Sequence, residues 1–177
     1  MIQHVYRGAA LGLLLLAAGC TPKFRPLNAD PLVRTDLATA NYDLTESTHN
    51  VGDGQVWIEH SEKGSGLIRL GMRLRNEATL PLSLDLDDTS LEVRTDEGRL
   101  FVIDEIAEVI GGPSVPPRQT GRVELAFQLP EGVELDDVVG FELIWAVETA
   151  DGVRVVRNTT FARETWNQSQ SRRRIGP

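Results

Sequence analysis

With a single cysteine, Cys20, the chain cannot form an internal disulfide. Exported domains often rely on such bridges, so this one has to hold together by burying apolar surface. A chain of this size can bury roughly two-thirds of its unfolded surface, enough for a core of its own. Histidine is also scarce. Beyond His4 there are only His49 and His60, and neither has a second His or Cys at ligand spacing. That argues against a zinc or other transition-metal centre. Positive charge is in deficit, with 26 Asp and Glu against 18 Lys and Arg and a net charge of -8. Duplex binding needs a basic footprint, so nucleic acid is excluded as a main partner. The chain has no Gly-x-Ser-x-Gly, and Glu62-Lys63-Gly64-Ser65-Gly66 lacks the residue order of a phosphate loop. No nucleophile stands beside a base and an orienting group. The expectation is a protein that is not an enzyme and carries no cofactor and no metal. Helical spacing of apolar residues is also missing; the best helical candidate, Asp104 to Val109, is short.

What is present begins with one apolar run. Arg7 precedes Gly8 to Ala18, and the run ends in Leu16-Ala17-Ala18-Gly19-Cys20. It is shorter than the roughly 17–25 residues of a membrane-spanning helix and has the layout of an export signal. The Ala-Ala-Gly-Cys sequence resembles the lipobox of bacterial lipoproteins, where small residues precede the cysteine that becomes the mature N-terminus. The resemblance implies a cleaved signal at residues 1–19 and acyl chains on Cys20. Several acyl chains together hold a protein firmly to a membrane, which an acidic surface would not do by charge. Thr21 follows the cysteine, not the Asp associated with retention at an inner membrane. By the same resemblance, the expected location is the outer membrane, facing the periplasm.

Residues 20–54 read as a flexible tether. They contain Pro22, Pro26 and Pro31 and the polar stretch Thr45 to Asn50, with an r.m.s. reach on the order of 30 Å. Ala38 to Leu44 is left open as an edge strand or a helical turn. From Gln55 the pattern has a period of two. Ile68, Leu70, Met72 and Leu74 share one face, against Arg69, Gly71, Arg73 and Arg75 on the other. Leu80, Leu82, Leu84 and Leu86 alternate likewise. Leu91 and Val93 lead through Asp96-Glu97-Gly98 into Leu100 to Ile103, a hairpin. Val123, Leu125, Phe127 and Leu129 form another inner face, as do Phe141, Leu143, Trp145 and Val147. After Ala150-Asp151-Gly152 a last strand runs to Phe161, and Val56 and Ile58 with His60 supply a first one. This predicts an all-β domain at residues 55–162, a single antiparallel sandwich of roughly seven to eight strands. A closed barrel is the alternative. Residues 163–177, ending near Arg172-Arg173-Arg174, read as a polar, disordered tail.

Two segments carry a further resemblance. Leu70-Gly71-Met72-Arg73-Leu74-Arg75-Asn76 closes a strand on Asn, and Val115-Pro116-Pro117-Arg118-Gln119-Thr120-Gly121 leads into a strand ending Phe127-Gln128-Leu129-Pro130. Over about residues 55–162 this is similar to the uncharacterised immunoglobulin-like (telokin-like) domains of bacterial envelope lipoproteins. The resemblance implies a sandwich fold and brings no catalytic residues. Where the family often has Pro-Gly, this chain has Pro116-Pro117.

The remaining candidates are surface groups. Asp85, Asp87 and Asp88 are acidic enough for calcium but lack an EF-hand's Gly and distal Glu, and read as solvated turn carboxylates. Trp145 shares the phase of a core face. Trp57 points opposite to Val56 and Ile58 and is the better exposed candidate for binding a partner. Arg69, Arg73 and Arg75 project from one face, where pairing with carboxylates of neighbouring strands competes with a binding role. The functional expectation is an envelope lipoprotein whose domain binds another envelope protein or supports an assembly. A glycan- or peptidoglycan-binding module is the alternative, and an enzyme the second. Clustered exposed aromatics would favour glycan; an apolar patch or open edge strand would favour protein.

Overall fold

The computed structural model describes residues 22–27, 38–62 and 64–164. The signal segment with Cys20, Trp166 and the tail from residue 165 onward lie outside the described residues. Within them the chain is all β, in two antiparallel sheets that pack as a sandwich. The strands are β1 (Phe24–Pro26), β2 (Thr39–Glu46), β3 (His49–Glu62), β4 (Leu67–Asn76), β5 (Leu82–Thr95), β6 (Leu100–Ile103), β7 (Glu108–Gly111), β8 (Ser114–Val115), β9 (Thr120–Gln128), β10 (Val138–Thr149) and β11 (Arg154–Arg163). One sheet has the order β1-β11-β10-β5-β6, with β8 joined to the start of β5; the other has β2-β3-β4-β9-β7.

The alternation read from sequence sets the inner faces. Ile68, Leu70, Met72 and Leu74 of β4 pack with Val123, Leu125 and Phe127 of β9 on one side. Leu82, Leu84, Leu91 and Val93 of β5 and Phe141, Leu143, Trp145 and Val147 of β10 pack on the other. Trp145 is fully buried; its indole N–H donates to Thr159 Oγ1 at 3.1 Å, so the polar atom is satisfied inside the core. Two sheets with free edges replace the barrel alternative.

Three expectations need correction. First, residues 20–54 are not all tether. Phe24–Pro26 adds to β11 at a sheet edge, with Phe24 buried against Phe141 at 5.2 Å between ring centroids. Thr39–Glu46 and the first half of β3 form a hairpin on the other sheet, where Ala40, Leu44 and Val51 are buried. Polar turn residues masked this short alternation. Second, the runs around Leu82–Leu86 and Leu91–Val93 are one strand. The buried phase changes from Leu82 and Leu84 to Thr89, Leu91, Val93 and Thr95. A bulge makes the change: Asp85 pairs Ala146 and Ser90 pairs Ile144, so Leu86 to Thr89 stand opposite Trp145 alone. Third, the described residues form eleven strands and not seven to eight, because pieces as short as β1, β7 and β8 carry too few residues to show alternation.

The Asn that ends β4 is a tie between loops. Asn76 is buried; its Nδ2 donates to Leu80 O at 2.8 Å and Val115 O at 2.9 Å, and its Oδ1 accepts from Ala78 N–H at 2.8 Å. Thus the two segments that carried the family resemblance meet in space.

Candidate functional site

The outer face of the five-stranded sheet carries most of the singled-out residues. Register places them in rows. Thr39, Trp57, Gly71 and Glu124 form one, and Asn41, Gln55, Arg73 and Arg122 the next. Asp53, Arg75 and Thr120 form a third. This is the outward phase read from sequence, so Trp57 does point away from Val56.

Trp57 is nevertheless only 8% exposed, against the expectation of an accessible ring. Gly71 explains half of this. The indole lies where a side chain at Gly71 would be; a Cβ built there would stand 2.4 Å from Trp57 Cε2. Arg122 explains the rest, with its guanidinium over the ring at 5.3 Å from the centroid. Glu59 fixes both partners, since its Oε2 accepts from Trp57 Nε1 and from Arg122 Nη2, each at 2.7 Å. Glu124 Oε1 takes a second Arg122 hydrogen bond at 3.0 Å. A cation over indole at such a site contributes about 0.5–1 kcal/mol. Trp57 is thereby a packed strut of the sheet face and not a free aromatic platform.

Two of the three predicted arginines are paired. Arg69 meets Glu108 at 2.6 Å. Arg75 meets Asp53 at 2.5 Å and Glu77 at 2.8 Å. The hydrogen bond to Asp53, then the charges of Asp53 and Glu77, raise the Arg75 pKa above its ordinary value. Arg73 is exposed and, among the described residues, makes no hydrogen bond or ion pair. It lines a shallow concavity of about 610 Å³ with Thr39, Gln55, Trp57, Thr120, Gly121 and Arg122. Elsewhere Arg154 pairs with both Asp85 and Asp88, which accounts for two of the three carboxylates of that acidic group as structural contacts. Among the described residues no three His, Cys, Asp or Glu side chains gather as a metal-holding group.

A second feature lies at one side of the sandwich. β6 pairs with β5 on one flank, and no described strand pairs along the other. Leu100 and Val102 stand out from it at 52% and 61% exposure. Residues 104–107 carry the chain across to β7, the edge of the other sheet, where Val109 and Ile110 are also exposed. The opposite side is closed. Arg157 of β11 donates to Asp43 O at 2.8 Å and Thr45 O at 3.0 Å of β2, and the Tyr42 hydroxyl donates to Asn158 O at 3.0 Å.

Sequence reasoning missed Arg122, Glu59 and the aliphatic edge. Gly71 was the available signal for the first two, because a glycine in the outward phase between two arginines marks a close approach. Nothing in Leu100-Phe101-Val102 distinguishes an open edge from a covered one.

No family model matches the chain, and no curated protein does. Among solved structures, a Northeast Structural Genomics Consortium target, SoR45, aligns with a TM-score of 0.38 and 10% identity, over 72% of this chain and 83% of that one. A second target of that consortium, BeR40 from Bordetella pertussis, described as an ApaA protein, aligns with a TM-score of 0.37 and 12% identity, over 72% of this chain and 92% of the other.

Proposed function

We propose that the chain is an envelope lipoprotein, acylated at Cys20 after loss of residues 1–19, whose immunoglobulin-like sandwich binds another envelope protein along its β6–β7 edge. The lipobox-like Leu16-Ala17-Ala18-Gly19-Cys20 supports the anchor, and Thr21 supports the outer membrane. Strand order supports the immunoglobulin-like assignment. β3-β4-β9-β7 follows the A-B-E-D order of such domains, and β11-β10-β5-β6 the order G-F-C-C′. On this mapping β1 and β2 are additions, one at the free edge of each sheet.

The observation that carries the binding role is the open β6 flank with Leu100 and Val102 in solvent, continued by Val109 and Ile110. An extended segment of a partner can add there as a further strand, taking main-chain hydrogen bonds from β6 and covering its aliphatic side chains. Exposed aliphatics, with no aromatic among the large exposed hydrophobics described, favour a protein over a glycan at this edge. The reading contains no catalytic step and needs no cofactor.

Two experiments test it. Cys20→Ala is expected to leave an uncleaved precursor without acyl mass; a wild-type chain that also lacks that mass would end the anchor reading. A photo-crosslinking residue at Val102 is expected to give one discrete adduct in intact cells, identified by mass spectrometry as an envelope protein. The same residue at Gln128 should give none. Equal adducts at both positions, or none at either, would refute the edge. An adduct of twice the chain's own mass would replace the foreign partner by a second copy.

A further inference from the structure

We infer that Arg73 and Arg122 form a binding subsite for a carboxylate carried on a small, hydroxyl-bearing molecule such as a sugar acid. The two arginines are direct cross-strand partners on β4 and β9. Side chains so placed start from Cβ atoms about 4.5–5.5 Å apart, and like charges there are destabilising. This acidic chain has carboxylates to spare, and it supplies at least one to each neighbour: Glu108 to Arg69, Asp53 and Glu77 to Arg75, Glu59 and Glu124 to Arg122. At Arg73 alone on this face it supplies none. The result is one guanidinium, Arg73, left without a carboxylate and open to solvent beside an Arg122 whose charge is already met by Glu59 and Glu124.

The geometry selects the ligand. Arg122 is held in place by its contacts with Trp57, Glu59 and Glu124. It is thus a fixed wall, and Arg73 is the free fork, suited to planar bidentate recognition of a carboxylate. Around them the concavity is lined by the polar residues Thr39, Gln55 and Thr120, of which the Gln55 amide already donates to Asn41 Oδ1 at 3.0 Å while its carbonyl oxygen can accept from a hydroxyl group on a ligand. An extended peptide is disfavoured, because Arg73 lies on the central strand, whose backbone is already paired with Gln55 on one side and Arg122 on the other. The site is separate from the β6–β7 edge and lies on the other sheet from β6, so either can fail without the other.

The test is a calorimetric titration of the full-length chain with glucuronate, beside glucose, inorganic phosphate and a short Asp/Glu peptide. Glucuronate is expected to give a saturable heat and glucose none. Arg73→Gln should weaken it by about tenfold or more, equivalent to ~1.4 kcal/mol. Arg73→Lys, which keeps charge but loses the fork, should fall between. The melting temperature of either variant should be unchanged, since Arg73 holds no hydrogen bond or ion pair among the described residues. An Arg73→Gln variant that binds as wild type, or glucose matching glucuronate, would overturn the subsite. Phosphate binding as tightly as glucuronate would overturn the carboxylate assignment, and tighter binding of the peptide would overturn the small ligand.

Discussion

At Gly71 the absence of one methyl group decides where a tryptophan goes. A Cβ there would stand within 2.6 Å of three atoms of the Trp57 ring, so the indole would have to lift and lose its bond to Glu59. Gly71→Ala is therefore expected to cost about 1–3 kcal/mol as an overpacking change. It should also alter the tryptophan emission, read by denaturant melts and fluorescence. Trp57→Ala, which an exposed ring would tolerate, should instead destabilise the fold by about 3 kcal/mol. The phase of Trp57 was legible from its position between Val56 and Ile58. Its burial was not, because that depends on a glycine on the neighbouring strand and on Arg122 two strands away, neither of which is near in sequence. Asn76 shows the reverse case. Its place at a strand end was visible, and its bonds to Ala78 and Leu80 are local, but its bond to the Val115 carbonyl exists only once β8 is brought alongside.

The strict alternation of β4, β9 and β10 was read correctly because a one-residue slip would turn the whole apolar set outward. β9 allows a direct check. Phe127 is fully buried and next to exposed Gln128, whose amide reaches only the Ser65 and Gly66 carbonyls of a turn. Phe127→Ala should cost about 3–5 kcal/mol. Gln128→Ala should cost no more than about 1 kcal/mol, for a lost exposed hydrogen bond. Equal shifts in denaturant midpoint would contradict the phase. β5 was divided in two because its pattern breaks at Asp85 to Thr89. Period two cannot distinguish a loop from a bulge when both insert polar residues. The Thr89 hydroxyl bonds back to the Asp85 carbonyl and Arg154 holds Asp85 and Asp88, and these contacts keep the strand continuous through the break. Short edge strands such as β6 and β7 carry too few residues to show a period at all.

On the scale of the whole molecule, the two sheets join segments from both ends of the described chain, since β1 pairs with β11. Phe24 sits on Phe141, which stacks on Phe161 at 4.8 Å, so the first strand is part of the core. Phe24→Ala is expected to lower stability by about 3 kcal/mol, somewhat less if the edge relaxes. Unchanged denaturation would return this segment to the status of a tether. The position of β1 also sets a height. Were acyl chains on Cys20 to hold the chain, the leash would run only from Cys20 to Phe24, about 14 Å fully extended. The sandwich would then stand on the bilayer instead of ranging below it. β1 and β6 are the two ends of one sheet, four strand spacings or about 19 Å apart, so the anchored flank and the open aliphatic flank face in opposite directions. A partner would meet the open edge at a nearly constant distance from the lipid, and the search for it would be a lateral one, in two dimensions.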